Sequence, residues 1–216
     1  MNVNVDSPFG ANPPLGGARP APSQDRSRLT AGRFIEAAFD LLESRTFEEL
    51  SVADIAKAAD RSVGAFYQRF GSKDDFLAVL LTSYFEGRER EFLRLMHEAR
   101  DEALVERVMS DNFASLMHNR NLWHAALRRS AQAPGFWSQF HSYVQRRPQL
   151  MAARLAEIRG EPVSEAEVRR LGMALQVFNS VINNQILNNP GPLSLSSPDF
   201  LPTLLGVFRA VYQAEL

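Results

Sequence analysis

RFIEAAFDLLESRTFEELSVADIAKAADRSVGAFYQRFGSKDDFL, residues 33–77, decides how the chain is read. Ile35, Ala38 and Leu42 recur at three and four residues, and Phe34, Ala37 and Leu41 widen the stripe, the pattern of a helix laid on a small core. The helical pattern begins at Thr30, which reads as an N-cap. After a linker at Ser44–Leu50, Ser51 stands three residues before Asp54 in the spacing of a capping box. Val52, Ile55, Ala56 and Ala59 form the buried side of that short helix, about 51–58. Ser62 caps another, about 62–69, anchored by Phe66 and Phe70 four residues apart. Gly71 and Ser72 end it and start a third, with Asp74 and Asp75 favoured in the first turn by the helix dipole.

Helix, tight turn, helix in a small domain suits a second helix that buries one side and offers the other to the major groove. The outward set is Val63, Ala65, Gln68 and Arg69, with Gly64 allowing close approach. Gln68 suits adenine, and Arg69 suits guanine or phosphate. Ser62, at a helix N-terminus, and the Tyr67 hydroxyl are phosphate candidates, and Lys73 stands just past the helix end. Composition argues little: eight basic and seven acidic residues fall between Arg26 and Lys73, so placement carries the case.

The same stretch resembles the N-terminal DNA-binding domain of the tetracycline-repressor (TetR) family of transcriptional regulators, from about Arg33 to Leu77. Ile55-Ala56, Ser62, Gly64, Phe66-Tyr67, Phe70 and Lys73 carry the resemblance together. It implies that Ser51 and Ser62 cap their helices and touch phosphates, that Tyr67 and Lys73 contact phosphates, and that Val63, Gly64, Ala65 and Gln68 face the groove. The chain departs from the family at Thr46, at Leu50, at Asp60-Arg61 and at Arg69. Aspartate tolerates unusual turn dihedrals, so Asp60 can stand in for the family's glycine.

Beyond residue 75 the pattern stays helical, over 74–97, 101–118, 120–131, 136–158, 164–188 and 199–214. Breaks come at Pro134-Gly135, Gly160–Pro162 and Pro190-Gly191-Pro192. The expected fold is therefore all-α: a flexible arm at 1–26, a three-helix helix-turn-helix domain at 27–75, and a larger effector-binding and dimerisation bundle at 76–216. The family resemblance adds a homodimer on a palindromic double-stranded operator, paired through the last two long helices. Leu171, Leu175, Val181, Ile182 and Ile186, with Leu204, Phe208 and Val211, are the apolar positions for that interface, or else pack within the subunit.

The bundle is rich in large soft side chains. Phe113, Met117, Trp123, Leu127, Trp137, Phe140, Tyr143, Val177 and Phe178 read either as plain core or as the lining of a pocket for a small, mostly apolar effector. Seven arginines and one acid between Asn112 and Arg159 leave room for an anionic head group on that effector. His118, His124, His141, Tyr143, Gln176, Asn179 and Asn183 are the polar candidates. His118 and His124 have no cysteine or carboxylate cluster beside them, so neither a metal nor another cofactor is expected, and no catalytic triad or paired-acid spacing is evident.

Whole-chain properties set the frame. The 216 residues contain no cysteine, are 45% hydrophobic and 23% charged, and carry a formal net charge of -1. That excludes a collagen-like, disulfide-framework or polycationic protein and fits a cytoplasmic one. The opening residues, broken by Pro13, Pro14, Pro20 and Pro22, lack the charged and apolar regions of a secretion signal. The uncharged stretch Leu171–Pro198 contains five asparagines, a poor match for lipid, so no membrane span is expected. The functional expectation is a ligand-responsive transcriptional repressor. The alternatives are a ligand-dependent activator built from the same residues, or a helical dimerisation or interaction module without specific DNA binding.

Overall fold

The computed structural model describes residues 22–214, with side chains from Leu29 onward. Helices supply all the regular structure there: α1 (Pro22–Leu42), α2 (Val52–Ala58), α3 (Val63–Phe70), α4 (Lys73–Glu98), α5 (Leu104–His118), α6 (Arg120–Gln132), a 3-10 turn (Phe136–Phe140), α7 (His141–Gln145), α8 (Arg147–Arg159), α9 (Glu165–Asn188) and α10 (Phe200–Gln213). Most of the expected arm, residues 1–21, lies outside the described residues. Its last five positions are already in α1, so Thr30 is an interior residue of that helix and not its cap.

Serine caps set the helix starts. Ser51, Ser62, Ser72 and Ser164 each accept the backbone N–H three residues on, from Asp54, Ala65, Asp75 and Glu167. Such a cap contributes about 1 kcal/mol. Ser51 completes the capping box, its own N–H donating to the Asp54 carboxylate at 3.0 Å. The departure at Asp60-Arg61 also finds its reason. Asp60 takes φ 53°, its N–H donates to the Lys57 carbonyl, and Arg61 N–H reaches back to Ala56. This is a Schellman ending for α2, with an aspartate in the left-handed position that glycine usually fills.

The expected single helix over 136–158 is three pieces. Pro148 has no N–H to give the Val144 carbonyl, so the helical ladder is interrupted there, and α8 starts afresh with the proline in its first turn. Around α9 and α10 the expected boundaries hold to within a residue or two.

Two apolar cores result. The first joins α1–α3 to the first half of α4, with Phe34, Phe66, Phe70 and Phe76 at its centre and Leu122, Ala125 and Ala126 of α6 closing it. The second joins the rest of α4 to α5, α8, α9 and α10. Trp123 packs against both. α4 runs unbroken across residue 75, so the two cores share one rigid rod.

Candidate functional site: a helix-turn-helix face and a bundle cavity

α3 has two unequal sides. Phe66 and Phe70 are buried, Phe66 meeting Phe34 and Phe76 edge to face at 5.5 and 5.0 Å. The opposite side carries Val63, Gly64, Tyr67, Gln68 and Arg69, all exposed, with Tyr67 at 50%. Ala65, expected in the groove, is instead half-buried against the first core. A Cβ on Gly64 would meet only Ser62 Oγ, at 3.9 Å. Nothing inside the protein needs glycine there.

The expected phosphate contacts divide. The Ser62 hydroxyl only accepts, from Ala65 N–H at 3.1 Å, and retains a proton to donate outward. The Ser51 hydroxyl already donates to Asp54 at 2.7 Å. Lys73 folds back over the Phe47 ring, 4.7 Å from its centroid, with Nζ donating to the Glu48 carbonyl at 3.3 Å. Partial burial pushes its pKa down, against the pull of Glu48 and Asp74. As it stands, Lys73 braces the loop before α2.

A cavity of about 770 Å³ opens between α4, α5, α6, the 3-10 turn, α8 and α9. Its aromatic wall is Tyr84, Phe85, Trp123, Trp137 and Phe140. Polar side chains face these: Arg88, Asn112, Arg147, Gln176, Asn179 and Asn183. Asn112 donates to Asn179 at 3.1 Å and Trp123 Nε1 donates to Asn183 at 2.7 Å, tying α5 and α6 to α9. Size and lining are those of a small-molecule site.

Of the pocket residues expected from sequence, the cavity takes in Trp123, Trp137 and Phe140. Phe113 stacks on Phe200, Tyr143 stacks on Phe85, and Leu127 is core. Phe178 is fully buried in the second core, Val177 lies on the outer side of α9, and Met117 does not line the cavity. Sequence reasoning missed Arg88. Its signal was there, as a charge in the α4 stripe Leu77, Leu81, Tyr84, Arg88, Phe92.

The expected dimer stripe needs a larger correction. Leu171, Leu175, Ile182, Leu204 and Phe208 are buried within the subunit, where α9 and α10 pack on each other and on α5, and Ile186 and Val211 pack against that core. Only Val181 lies outside. The outward faces are Met173, Val177 and Val181 on α9 and Val207 and Ala210 on α10. Met173, Val181 and Val207 are 48, 39 and 42% exposed. An amphipathic stripe names the residues that leave water but not what covers them, and here the subunit's own core does.

His118 lies 3.8 Å from Glu43, and no group of three or more potential metal ligands occurs among the described residues. No described helix is long and apolar enough to cross a membrane.

Residues 34–80 match the family described as bacterial regulatory proteins, tetR family. The chain is 48% identical over 58 residues to the HTH-type transcriptional regulator YwcC of Bacillus subtilis (strain 168), an alignment covering 27% of this chain and 26% of that one. The architecture is similar to a tetR-family transcriptional regulator from Streptomyces coelicolor, with TM-score 0.59, 20% identity, and 85% of this chain and 80% of that chain covered. A TetR transcriptional regulator from Rhodococcus sp. RHA1 gives TM-score 0.55 at 18% identity, over 89% of this chain and 99% of that chain. The capped pair α2 and α3 on its phenylalanine core lies within the matched segment, so this segment is a tetR-family helix-turn-helix domain, while the alignment spans only about a quarter of the curated relative's length.

Proposed function

We propose that the protein is a ligand-responsive, sequence-specific DNA-binding transcriptional regulator, a repressor released from its operator by a small, largely apolar effector held in the bundle cavity. The observation that carries this is the outer side of α3: a capped helix whose buried side completes a core while Val63, Gly64, Tyr67 and Gln68 stand exposed. Small residues at the leading end let the backbone approach base edges, and Tyr67 and the Ser62 hydroxyl supply phosphate contacts.

A homodimer presents two such helices to successive major grooves about 34 Å apart. The uncharged outer side of α9 and α10, around Met173, Val177, Val181, Val207 and Ala210, is the surface for pairing.

α6 couples the cavity to the DNA-binding end. Trp123 stands in the cavity wall, while on the same helix Asn121 donates to the Leu42 carbonyl at 2.8 Å. Arg128 and Arg129 pair with Glu48 and Asp74 at 3.9 and 3.3 Å. A ligand that moves Trp123 moves a helix gripping α1, the loop before α2 and the start of α4. The separation of the two recognition helices changes, and operator affinity falls to the extent that the ligand prefers that arrangement.

The test is selection of bound sequences from a random double-stranded DNA pool. A palindromic motif, lost with Tyr67→Ala, is the expected result. Weak, salt-sensitive, sequence-blind binding would overturn the proposal.

A further inference from the structure

The cavity wall has a charge its own fold does not balance. Three guanidinium groups lie together where α4 meets α8: Arg88, Arg146 and Arg147. Two carboxylates answer them. Arg88 pairs with Asp111 of α5, and Arg146 pairs with the buried Glu89. Arg147 forms no ion pair among the described residues and lies over the Phe92 ring, 5.1 Å from its centroid. The Nε atoms of Arg88 and Arg147 are buried without a hydrogen-bond partner among those residues. Burial pushes the Arg147 pKa down and the nearby Arg88 charge adds to that, with Glu89 opposing. An arginine nevertheless stays protonated at any pH the protein meets.

A charge held out of water without a counter-charge is costly, and a fold retains one where a ligand supplies the missing sign. Arg88 and Arg147 both line the cavity, and no acid lines it. The same cavity is lined by Trp123, Trp137, Phe85 and Phe140. The cavity therefore asks for an anion that carries an apolar body.

We infer that the effector site is selective for a small amphipathic anion, its single negative head group held by Arg147 with Arg88 beside it and its apolar body laid against the tryptophan wall. The inference rests on the cavity being the effector site proposed above. Arg147 is the specificity-determining residue, since of the three arginines it alone forms no ion pair among the described residues. Arg88 contributes less, already paired with Asp111.

The chain's two tryptophans both line this cavity, so intrinsic fluorescence reports on that site. The experiment titrates the full chain, without DNA, with two probes of the same body: 8-anilinonaphthalene-1-sulfonate, an anion, and N-phenyl-1-naphthylamine, which is uncharged. Tryptophan quenching is the readout. The anion is expected to bind about tenfold or more tighter than its neutral analogue, the scale of one charge-assisted hydrogen bond. Arg147→Met is expected to abolish that preference by weakening the anion alone, with neutral-probe binding retained as evidence that the cavity is intact. Arg147→Lys is expected to restore part of it.

Equal or tighter binding of the neutral probe by the unmodified protein overturns the inference and needs no variant. So does an undiminished preference in Arg147→Met, or tryptophan emission that responds to neither probe. Failure of DNA selection with the anion preference intact would instead count against the regulator reading and leave the charge assignment standing.

Discussion

Two aromatic clusters do opposite things. At the DNA-binding end, Phe34, Phe66, Phe70 and Phe76 close on one another with centroids 4.5 to 5.6 Å apart and leave no room. In the bundle, Tyr84, Phe85, Trp123, Trp137 and Phe140 contact each other at 5.0 to 6.5 Å and stand around a cavity. The difference lies in the frame. The closed cluster draws its rings from α1, α3 and the start of α4, whereas the bundle cluster draws them from α4, α6 and the 3-10 turn ahead of the break at Pro148.

Truncation tests that difference most directly. Phe66→Ala removes a ring with no exposed surface from a closed cluster and is expected to cost about 3–5 kcal/mol, enough to unfold the DNA-binding end. Trp137→Ala removes a larger ring that is half-buried and already borders a void, so it is expected to cost no more than about half as much. Urea unfolding of both variants, followed by far-ultraviolet circular dichroism, gives the comparison. Equal losses would mean that the bundle cluster is as tightly closed as the other.

The two regions also differ in how much of them sequence could carry. The helix-turn-helix was legible because its signals are local: Ser51 with Asp54, Ser62 before Phe66, and Phe66 four residues from Phe70 all act within one turn or two. Even the missing glycine at Asp60 could be read, since its conformation depends on the adjacent turn. The cavity was not, because Tyr84, Asn112, Trp123, Arg147 and Asn179 meet only through packing of five helices. Trp123, Trp137 and Phe140 were reachable as large soft residues, but so were Phe113 and Phe178, which the structure uses as core. The α9 stripe failed for the same reason: Leu171, Leu175 and Ile182 repeat correctly, and periodicity cannot tell an internal neighbour from a second subunit.

Gly64 sharpens the contrast at smaller scale. It sits near the start of α3 with open space where a Cβ would go. Gly64→Ala is expected to stabilise the fold by up to about 0.5 kcal/mol, from lower chain entropy in the unfolded state. The same methyl group holds the helix away from base edges, so operator binding weakens as stability rises. Thermal unfolding and DNA titration on one preparation separate the two effects. A destabilised Gly64→Ala would place the demand for glycine inside the protein.

The far end of the bundle is held by neither aromatic device. Arg159 bridges Glu167 and Glu102 at 2.7 and 2.6 Å, and the Tyr212 hydroxyl donates to Glu167, so α8, α9, α10 and the segment before α5 are joined through the Arg159–Glu167 pair. Burial raises the Glu167 pKa, but the Tyr212 and Arg159 hydrogen bonds outweigh it and the net shift is downward. Burial, with the bond to Glu167, pushes Tyr212 up to about 12. The signs follow from linkage. A depressed carboxylate contributes stability above its unfolded pKa and loses it as pH falls through the folded value. A raised phenol contributes below its unfolded value near 10, and that contribution is lost as pH climbs through about 12. Tyr212→Phe is therefore expected to cost on the order of 1 kcal/mol between these limits, with the difference from the unmodified protein shrinking below the carboxylate range and again at strongly alkaline pH. Urea midpoints measured across that range check it. A negligible gap at every pH would mean that Tyr212 acts by packing its ring against Phe208 rather than through Glu167.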